Sequence, residues 1–250
     1  MRAIITYHSL DGSGSPISVP PRSFRKHVDW LASGRVRVVS VRELIALNDE
    51  IDAVALTFDD GFANIAEEAV PLLRERGLPA TLFVVTDHVG RDNRWRGRRE
   101  VGIPVLPLLD WDVLGRLRES GMTLGAHTRT HPDLLGLELE AIQDELSFAA
   151  DEMQRRLGER PEGLAYPYGA VNSRVAGIAG RCYRWACTTE FRPLRSGQSP
   201  LLLPRLDAWY FRGPDGFASW GSPGFRARVW YRRQGRRARA AIRRLGTAQR

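Results

Sequence analysis

Residues 53–61 read Ala-Val-Ala-Leu-Thr-Phe-Asp-Asp-Gly, an apolar run that ends in two adjacent carboxylates and a glycine. Short apolar runs rich in β-branched residues are typical of buried strands. Successive side chains at a strand end point in opposite directions, so Asp59 and Asp60 can serve two different purposes. On its own, however, Asp-Asp-Gly also suits a simple turn that caps a helix. Whether these carboxylates are functional or only form a turn depends on which residues accompany them elsewhere in the chain.

Similar apolar runs recur along the chain and alternate with helical patterns. The predicted strands are residues 3–7, 36–39, 53–58, 80–85, 122–126, 163–166, 183–188 and 201–206. The predicted helices are residues 24–32, a short helix opened by a capping box at 40–43, and residues 65–76, 112–119, 138–157 and 173–180. This alternation predicts an α/β fold whose seven to eight parallel strands close into a barrel. An open doubly wound sheet is the alternative, although no Gly-x-Gly-x-x-Gly follows the first strand.

Composition favours one catalytic domain, residues 1–211, followed by a Gly/Pro linker and an Arg-rich tail, residues 212–250. The net charge is +8, but residues 226–250 alone carry ten arginines and no acidic residue, so we expect no nucleic-acid partner. The tail alternates arginine with Val229, Trp230, Tyr231, Ile242 and Leu245. Peripheral contact with an anionic membrane and a solvated extension both remain open. No targeting or spanning segment is recognisable, which favours the cytoplasm or the inner membrane face.

Polar residues follow the predicted strands at the points where they end. They are His8, Asp59, Asp60, His127, Pro167, Tyr168, Arg205 and Asp207. The carboxyl ends of parallel barrel strands form one rim, where barrel enzymes place their active sites, so we expect these residues to gather there. An Arg-, Gly- and Pro-rich stretch, residues 87–109, is predicted to be a loop over this site. His27 and His88 are expected at the surface.

His127-Thr128-Arg129-Thr130-His131 places two imidazoles four residues apart. On a helical turn both would face the same side, and a carboxylate would complete a three-ligand metal site with an open position. Only five histidines occur in the chain, so a chance pair directly after a strand is the weaker interpretation. The sequence therefore predicts one divalent metal ion held by Asp60, His127 and His131.

The Thr-Phe-Asp-Asp-Gly and His-Thr-x-x-His motifs resemble those of the polysaccharide deacetylase family, also called the NodB-homology domain or family four carbohydrate esterases. The resemblance extends from Ile4 to about Tyr210. It implies a distorted (β/α) barrel, and it implies that zinc, or cobalt, nickel or manganese, is bound by the three ligands. It also implies that Asp59 is the general base in removing acetyl groups from N-acetylated sugars of a polysaccharide, an oligosaccharide or a glycan precursor, as in exopolysaccharide biosynthesis.

Two departures from the family pattern bear on catalysis. The family's Arg-x-Pro-Tyr motif becomes Ala165-Tyr166-Pro167-Tyr168. Pro167 and Tyr168 carry over, and the resemblance makes the Tyr168 backbone N–H an oxyanion donor. The arginine that orients the catalytic Asp is missing. Arg205 is the candidate replacement, and a surface ion pair with Asp207 is its alternative.

The second departure is that no histidine follows His131, although the family places its general acid late in the chain. His8 resembles the N-terminal acid of poly-N-acetylglucosamine deacetylase-like members, and the first and last strands of a closed barrel are neighbours. Asp207 and Trp209 are further candidates for substrate contact. An O-acetyl esterase, another amide hydrolase, or a catalytically silent carbohydrate-binding domain stays open as an alternative.

Overall fold

The computed structural model describes residues 1–247, and within them the side chains other than those of residues 96 and 239–247. The strands are Arg2–Tyr7 (β1), Arg37–Val38 (β2), Ala53–Phe58 (β3), Ala80–Val84 (β4), Thr123–Ala126 (β5), Gly163–Ala165 (β6), Trp185–Cys187 (β7) and Arg205–Asp207 (β8). The helices are Pro21–Leu31 (α1), Val41–Ala46 (α2), Asn64–Glu68 (α3), Val70–Glu75 (α4), Trp111–Glu119 (α5), Leu139–Leu157 (α6), Ser173–Cys182 (α7) and Pro223–Thr247 (α8).

The strands form a nearly closed parallel barrel. Seven of them follow the order β7-β6-β5-β4-β3-β1-β8, while β2 pairs with the start of β3. Closure comes from a parallel bridge between Cys187 in β7 and Leu203 just before β8. The predicted barrel is therefore confirmed. Because Tyr7 pairs with Phe58, the strands β1 and β3 end level with each other at the rim.

Two aromatic rings fill the barrel interior. Phe83 and Trp185 meet edge to face with 5.8 Å between ring centroids, and both are buried. They fit because two neighbouring positions have no side chain. A Cβ on Gly125 would lie 2.5 Å from the Phe83 ring, and one on Gly163 would lie 2.2 Å from the Trp185 ring. Larger residues at either position would displace an aromatic ring from the barrel core.

The helices cover the outside of the barrel and mostly follow the predicted bounds. Ser40 caps α2 by accepting the Glu43 backbone N–H, as the capping box predicts. The single helix predicted over residues 65–76 is wrong, since it is divided at Ala69 into α3 and α4. Pro71 at the start of α4 explains the break, because it has no N–H to continue the hydrogen-bond ladder of α3.

The C-terminal segment is packed against the barrel, unlike the predicted linker and tail. Phe217, within the Gly/Pro-rich stretch, is 1% exposed, and Phe225 and Val229 of α8 are buried in the same core. These apolar residues anchor the segment even though its charge pattern suggested a solvated extension. Ile242 and Leu245 lie outside the described side chains. Within residues 1–247, none of the helices combines the length and apolar character needed to span a membrane.

The surface position predicted for His27 is wrong. Its ring is 1% exposed and lies on the outside of the seam between β1 and β8. The Tyr7 hydroxyl lies 3.0 Å from Nδ1, and Nε2–H donates to the Phe211 carbonyl at 2.9 Å. Burial lowers the pKa of His27 to about 4, so this histidine is a neutral link between β1 and the turn that follows β8.

Candidate active site

The polar residues predicted to gather at the carboxyl-end rim do gather there. His8 follows β1, Asp59 and Asp60 follow β3, and His127 follows β5. Pro167 and Tyr168 come after β6, whereas Arg205 and Asp207 lie within β8. The closed barrel brings β8 beside β1, with Thr6 opposite Asp207. Residues from both ends of the chain therefore share one site.

Asp60, His127 and His131 form a compact buried cluster whose ligand atoms all lie within 4.8 Å of one another. Asp60 Oδ1 is 3.3 Å from His127 Nε2 and 3.4 Å from His131 Nε2. The Nδ1–H of His127 donates to the Ala165 carbonyl at 2.7 Å, which directs Nε2 towards Asp60. Such a bond orients a histidine ligand and sets its tautomer.

The cluster fits a divalent metal ion. Two ligands of a tetrahedral ion, each about 2.1 Å from it, lie about 3.4 Å apart, which matches both Asp60–His distances. Asp60 Oδ1 is buried, and among the described residues it has no partner that meets hydrogen-bond geometry. A buried carboxylate oxygen is stable only when paired or bound to a cation. Three protein ligands also leave a fourth position for water or substrate.

The electrostatics of the two histidines agree with metal binding. Burial lowers the pKa of His131 to about 3, so its imidazole is neutral and ready to coordinate. Burial also lowers the pKa of His127, but the nearby carboxylates of Asp60 and Asp59 outweigh it and the net pKa is raised. The two carboxylates thus create a position that attracts positive charge. A divalent cation bound by the three ligands would replace that proton.

Strained backbone sits at the ligands. The only non-glycine residues with positive φ in the described chain are Asp60 (72°), Thr128 (67°), His131 (59°) and Tyr168 (58°). Left-handed conformations of this kind are unfavourable for L-residues and cluster at functional sites. They also correct the predicted helical turn at 127–131, which is an irregular loop. The imidazoles meet because this loop turns back on itself.

Glu145 of α6 holds that loop in place, and the sequence analysis missed it. One carboxylate oxygen accepts the backbone N–H groups of Arg129 (3.0 Å) and Thr130 (2.8 Å), and the other accepts the Thr130 hydroxyl (2.6 Å). The sequence did contain a sign of this role, because the helical spacing puts Glu145 between Ile142 and Ala149 on the buried face of α6. An acidic residue on an apolar stripe usually has a bound partner.

Arg205 forms a bidentate ion pair with Asp59. Its terminal nitrogens lie 2.6 and 2.7 Å from the two carboxylate oxygens, and its side chain is 1% exposed. Additional bonds run to the Thr188 carbonyl and to the hydroxyls of Thr6 and Thr57. Burial acts to raise the pKa of Asp59, but the charge of Arg205 outweighs it and the net pKa is lowered. The surface ion pair with Asp207 is therefore not the arrangement found.

His8 lies on the open side of this ion pair. Its Nε2 is 3.7 Å from Asp59 Oδ2, and a quarter of its side chain is exposed. Asp207, half-buried beside it, accepts the Trp209 backbone N–H at 3.0 Å. Burial raises the pKa of Asp207, while the nearby His8 acts in the opposite direction. His8 is therefore the histidine of the rim that is open to a substrate.

The predicted loop over residues 87–109 reaches the site at two points. The Trp95 ring stacks on His131 with 4.4 Å between centroids. The Tyr168 hydroxyl donates to Glu100 at 2.5 Å, and the Tyr168 ring lies edge-on to His131. Trp95 and Glu100 were not identified from sequence, because a loop without periodicity gives no contact pattern. One face of Trp209 is covered by Arg212, whose guanidinium carbon lies 3.5 Å from the ring centre.

Comparison with known proteins agrees with this geometry. Residues 47–183 match the family profile described as polysaccharide deacetylase. A putative polysaccharide deacetylase, YxkH of Bacillus subtilis, is 25% identical over 193 residues, covering 75% of this chain and 64% of its own length. A poly-beta-1,6-N-acetyl-D-glucosamine N-deacetylase of Staphylococcus epidermidis is 25% identical over 203 residues. That alignment covers 76% of this chain and 67% of the relative, so the chain spans about two thirds of both relatives.

Solved structures share the barrel. IcaB from Ammonifex degensii superposes with a TM-score of 0.73 at 22% identity, covering 92% of this chain and 97% of that one. The Streptococcus pyogenes deacetylase PplD, solved with acetate, superposes with a TM-score of 0.70 at 22% identity, covering 82% and 91%. At this level of identity the likeness shows a common fold.

Proposed function

The chain belongs to the polysaccharide deacetylase family, and from that premise we propose that it hydrolyses acetyl groups from N-acetylated sugars of a glycan. The observation that carries the proposal is the Arg205–Asp59 ion pair beside the three metal ligands. The missing arginine of the family motif and the missing late histidine were the two reasons to consider a catalytically silent binding domain. Arg205 fills the role of that arginine from a different strand, which favours an enzyme.

The residues of this chain divide the work of amide hydrolysis between them. A divalent ion on Asp60, His127 and His131 supplies Lewis-acid polarisation and a more acidic water. Asp59 stays ionised because Arg205 lowers its pKa, and it accepts the proton of the attacking water. Both of its oxygens are held by Arg205, so its orientation is set before substrate arrives. His8 donates a proton to the departing nitrogen.

We infer that the metal ion is zinc. The ligand set of two imidazoles and one carboxylate, at tetrahedral spacing, suits zinc better than the oxygen-rich sites of magnesium or calcium. Cobalt, nickel and manganese accept the same ligands. Elemental analysis of protein purified without added metal, followed by activity after exchange into each ion, tests the assignment. Highest activity with an ion other than zinc contradicts it.

The activity is tested by acetate release from an N-acetylated glucosamine oligomer. We expect metal-loaded wild-type protein to release acetate, and Asp59→Asn to release at least about a hundredfold less while keeping its metal. An O-acetylated xylan oligomer assayed in parallel distinguishes an esterase. Faster release from the ester, or unchanged turnover in Asp59→Asn, contradicts the proposal.

We also propose that α8 contacts an anionic membrane surface. Trp230 and Tyr231 are 52% and 69% exposed, and residues 223–247 contain arginines but no acidic residue. Exposed aromatic rings beside arginines suit the interface of an anionic bilayer. Flotation with phosphatidylglycerol vesicles should recover the wild-type protein and lose the Trp230→Ser/Tyr231→Ser variant. Equal recovery of both, or equal binding to neutral phosphatidylcholine, counts against membrane contact.

A further inference from the structure

A second cleft borders the active site where α8 crosses the rim. Its volume is about 380 Å³, and its walls are the segment 188–191, Gly169, Leu202 and three arginines of α8. The arginines are Arg233, Arg236 and Arg237. The sequence suggested only a basic tail here, whereas the fold places these side chains against the end of β7.

Positive charge exceeds negative charge in this cleft. Glu190 is shared by Arg233, at 2.5 Å, and Arg192, at 2.9 Å. Arg236 lies 3.7 Å from Asp207 and donates to the Thr189 carbonyl. The cleft lining thus has one carboxylate, Glu190, and three guanidinium groups, and the neighbouring pair of Asp207 and Arg192 leaves this excess of positive charge unchanged. Within the described part of the chain, no carboxylate lies within ion-pair distance of Arg237.

The cleft and the catalytic rim are adjacent. Gly169 follows Tyr168 directly, and the Thr189 hydroxyl donates to the Tyr168 carbonyl at 3.2 Å. A Cβ at Gly169 would lie 2.1 Å from the Thr189 hydroxyl oxygen, so the two segments are in close contact. On the other side Arg236 approaches Asp207, the neighbour of His8. The cleft therefore lies directly beside a glycan seated at the rim.

We propose that this cleft binds an oxyanion of the substrate glycan, a phosphate or a carboxylate near the sugar that loses its acetyl group. This rests on the proposed function, because it concerns the same glycan. Planar guanidinium groups bind phosphate and carboxylate through paired hydrogen bonds, which suits arginine better than lysine. The helix α8 is then a specificity element of the active site.

The kinetic test compares three sugars that differ in charge: neutral N,N′-diacetylchitobiose, its 1-phosphate, and a hyaluronan tetrasaccharide that carries glucuronate. We expect kcat/KM at low salt to be about tenfold higher for an anionic sugar than for the neutral one. Arg237→Gln should lower the anionic value about three- to fivefold and leave the neutral value unchanged. Whichever anionic sugar responds identifies the group as phosphate or carboxylate.

The matched control is Arg226→Gln, which removes the same charge from an exposed position about 16 Å away along α8. It should change neither value. Equal effects of the two variants, or no preference of the wild type for an anionic sugar, overturn the proposal. Calorimetry of the Asp59→Asn protein with the same sugars measures binding with little turnover. Wild-type protein that releases no acetate, but binds the anionic sugars more tightly than Arg237→Gln does, would contradict the proposed activity and support the anion-binding cleft.

Discussion

The rim has two halves that come from different stretches of chain. The metal half, Asp60, His127 and His131, lies within the profile-matched residues 47–183. The seam half, His8 and Arg205, lies outside that range and forms only where β1 meets β8. Its contacts join residues as far apart as Thr6 and Arg205, 199 positions along the chain. We therefore expect metal binding to depend on residues within the profile-matched range alone. Turnover should also require β1 and β8 to pair, because their pairing brings His8 and Arg205 to the site.

The largest effect should come from breaking the metal half alone. His131→Ala removes one of three ligands, so we expect loss of bound metal and at least about a thousandfold lower acetate release. The seam half should be unaffected, and near-ultraviolet circular dichroism should keep its wild-type form. Metal content is measured by mass spectrometry of the purified protein. Stoichiometric metal in this variant shows that the cluster is not the binding site.

Breaking the seam half at Arg205 should affect both stability and activity but not metal content. Arg205→Met leaves Asp59 buried without its partner, which costs about 3 to 5 kcal/mol in the free energy of unfolding. Burial acts to raise the pKa of Asp59, and without the guanidinium the largest opposing interaction is gone, so the pKa is higher than in the wild type and the base is protonated at higher pH. We expect the acidic limb of kcat/KM to move to higher pH, measured by acetate release across the pH range.

A conservative variant separates charge from geometry at the same position. Arg205→Lys keeps the positive charge but cannot form two parallel bonds to one carboxylate. It should recover most of the stability lost in Arg205→Met and only part of the activity. Wild-type turnover in Arg205→Lys shows that Arg205 acts through its charge and does not orient Asp59.

The sequence predicted the metal half well for a physical reason. Strand ends can be recognised from hydrophobic patterns, and the motif Asp59–Gly61 and the pair His127 and His131 lie directly at such ends. The positive φ angles of Thr128 and His131, and which backbone groups Glu145 binds, could not be predicted, because they depend on how α6 packs against the loop. The position of Arg205 at a strand end suggested that it replaces the missing arginine. That its partner is Asp59 and not Asp207 follows only from the way the barrel closes.

At His8 the chemistry of the leaving group provides the test. His8→Gln removes the proposed proton donor, so we expect about a hundredfold lower turnover on an N-acetylated sugar with metal content unchanged. An activated ester such as 4-nitrophenyl acetate has a leaving group that needs no proton. Its hydrolysis should fall much less. Equal losses on both substrates indicate that His8 supports the site in some other way and is not the acid.

The smallest effect concerns the outside of the seam, where His27 links Tyr7 to Phe211. Burial lowers its pKa to about 4, whereas an unfolded histidine has a pKa of about 6.5. Between these values the unfolded chain binds the proton more readily, so stability is full above pH 6.5 and falls as the pH drops towards 4. The full difference corresponds to about 3 kcal/mol. Urea unfolding should show this decline in wild-type protein and a flatter profile in His27→Gln. A parallel decline in both proteins assigns the acid sensitivity to groups other than the seam.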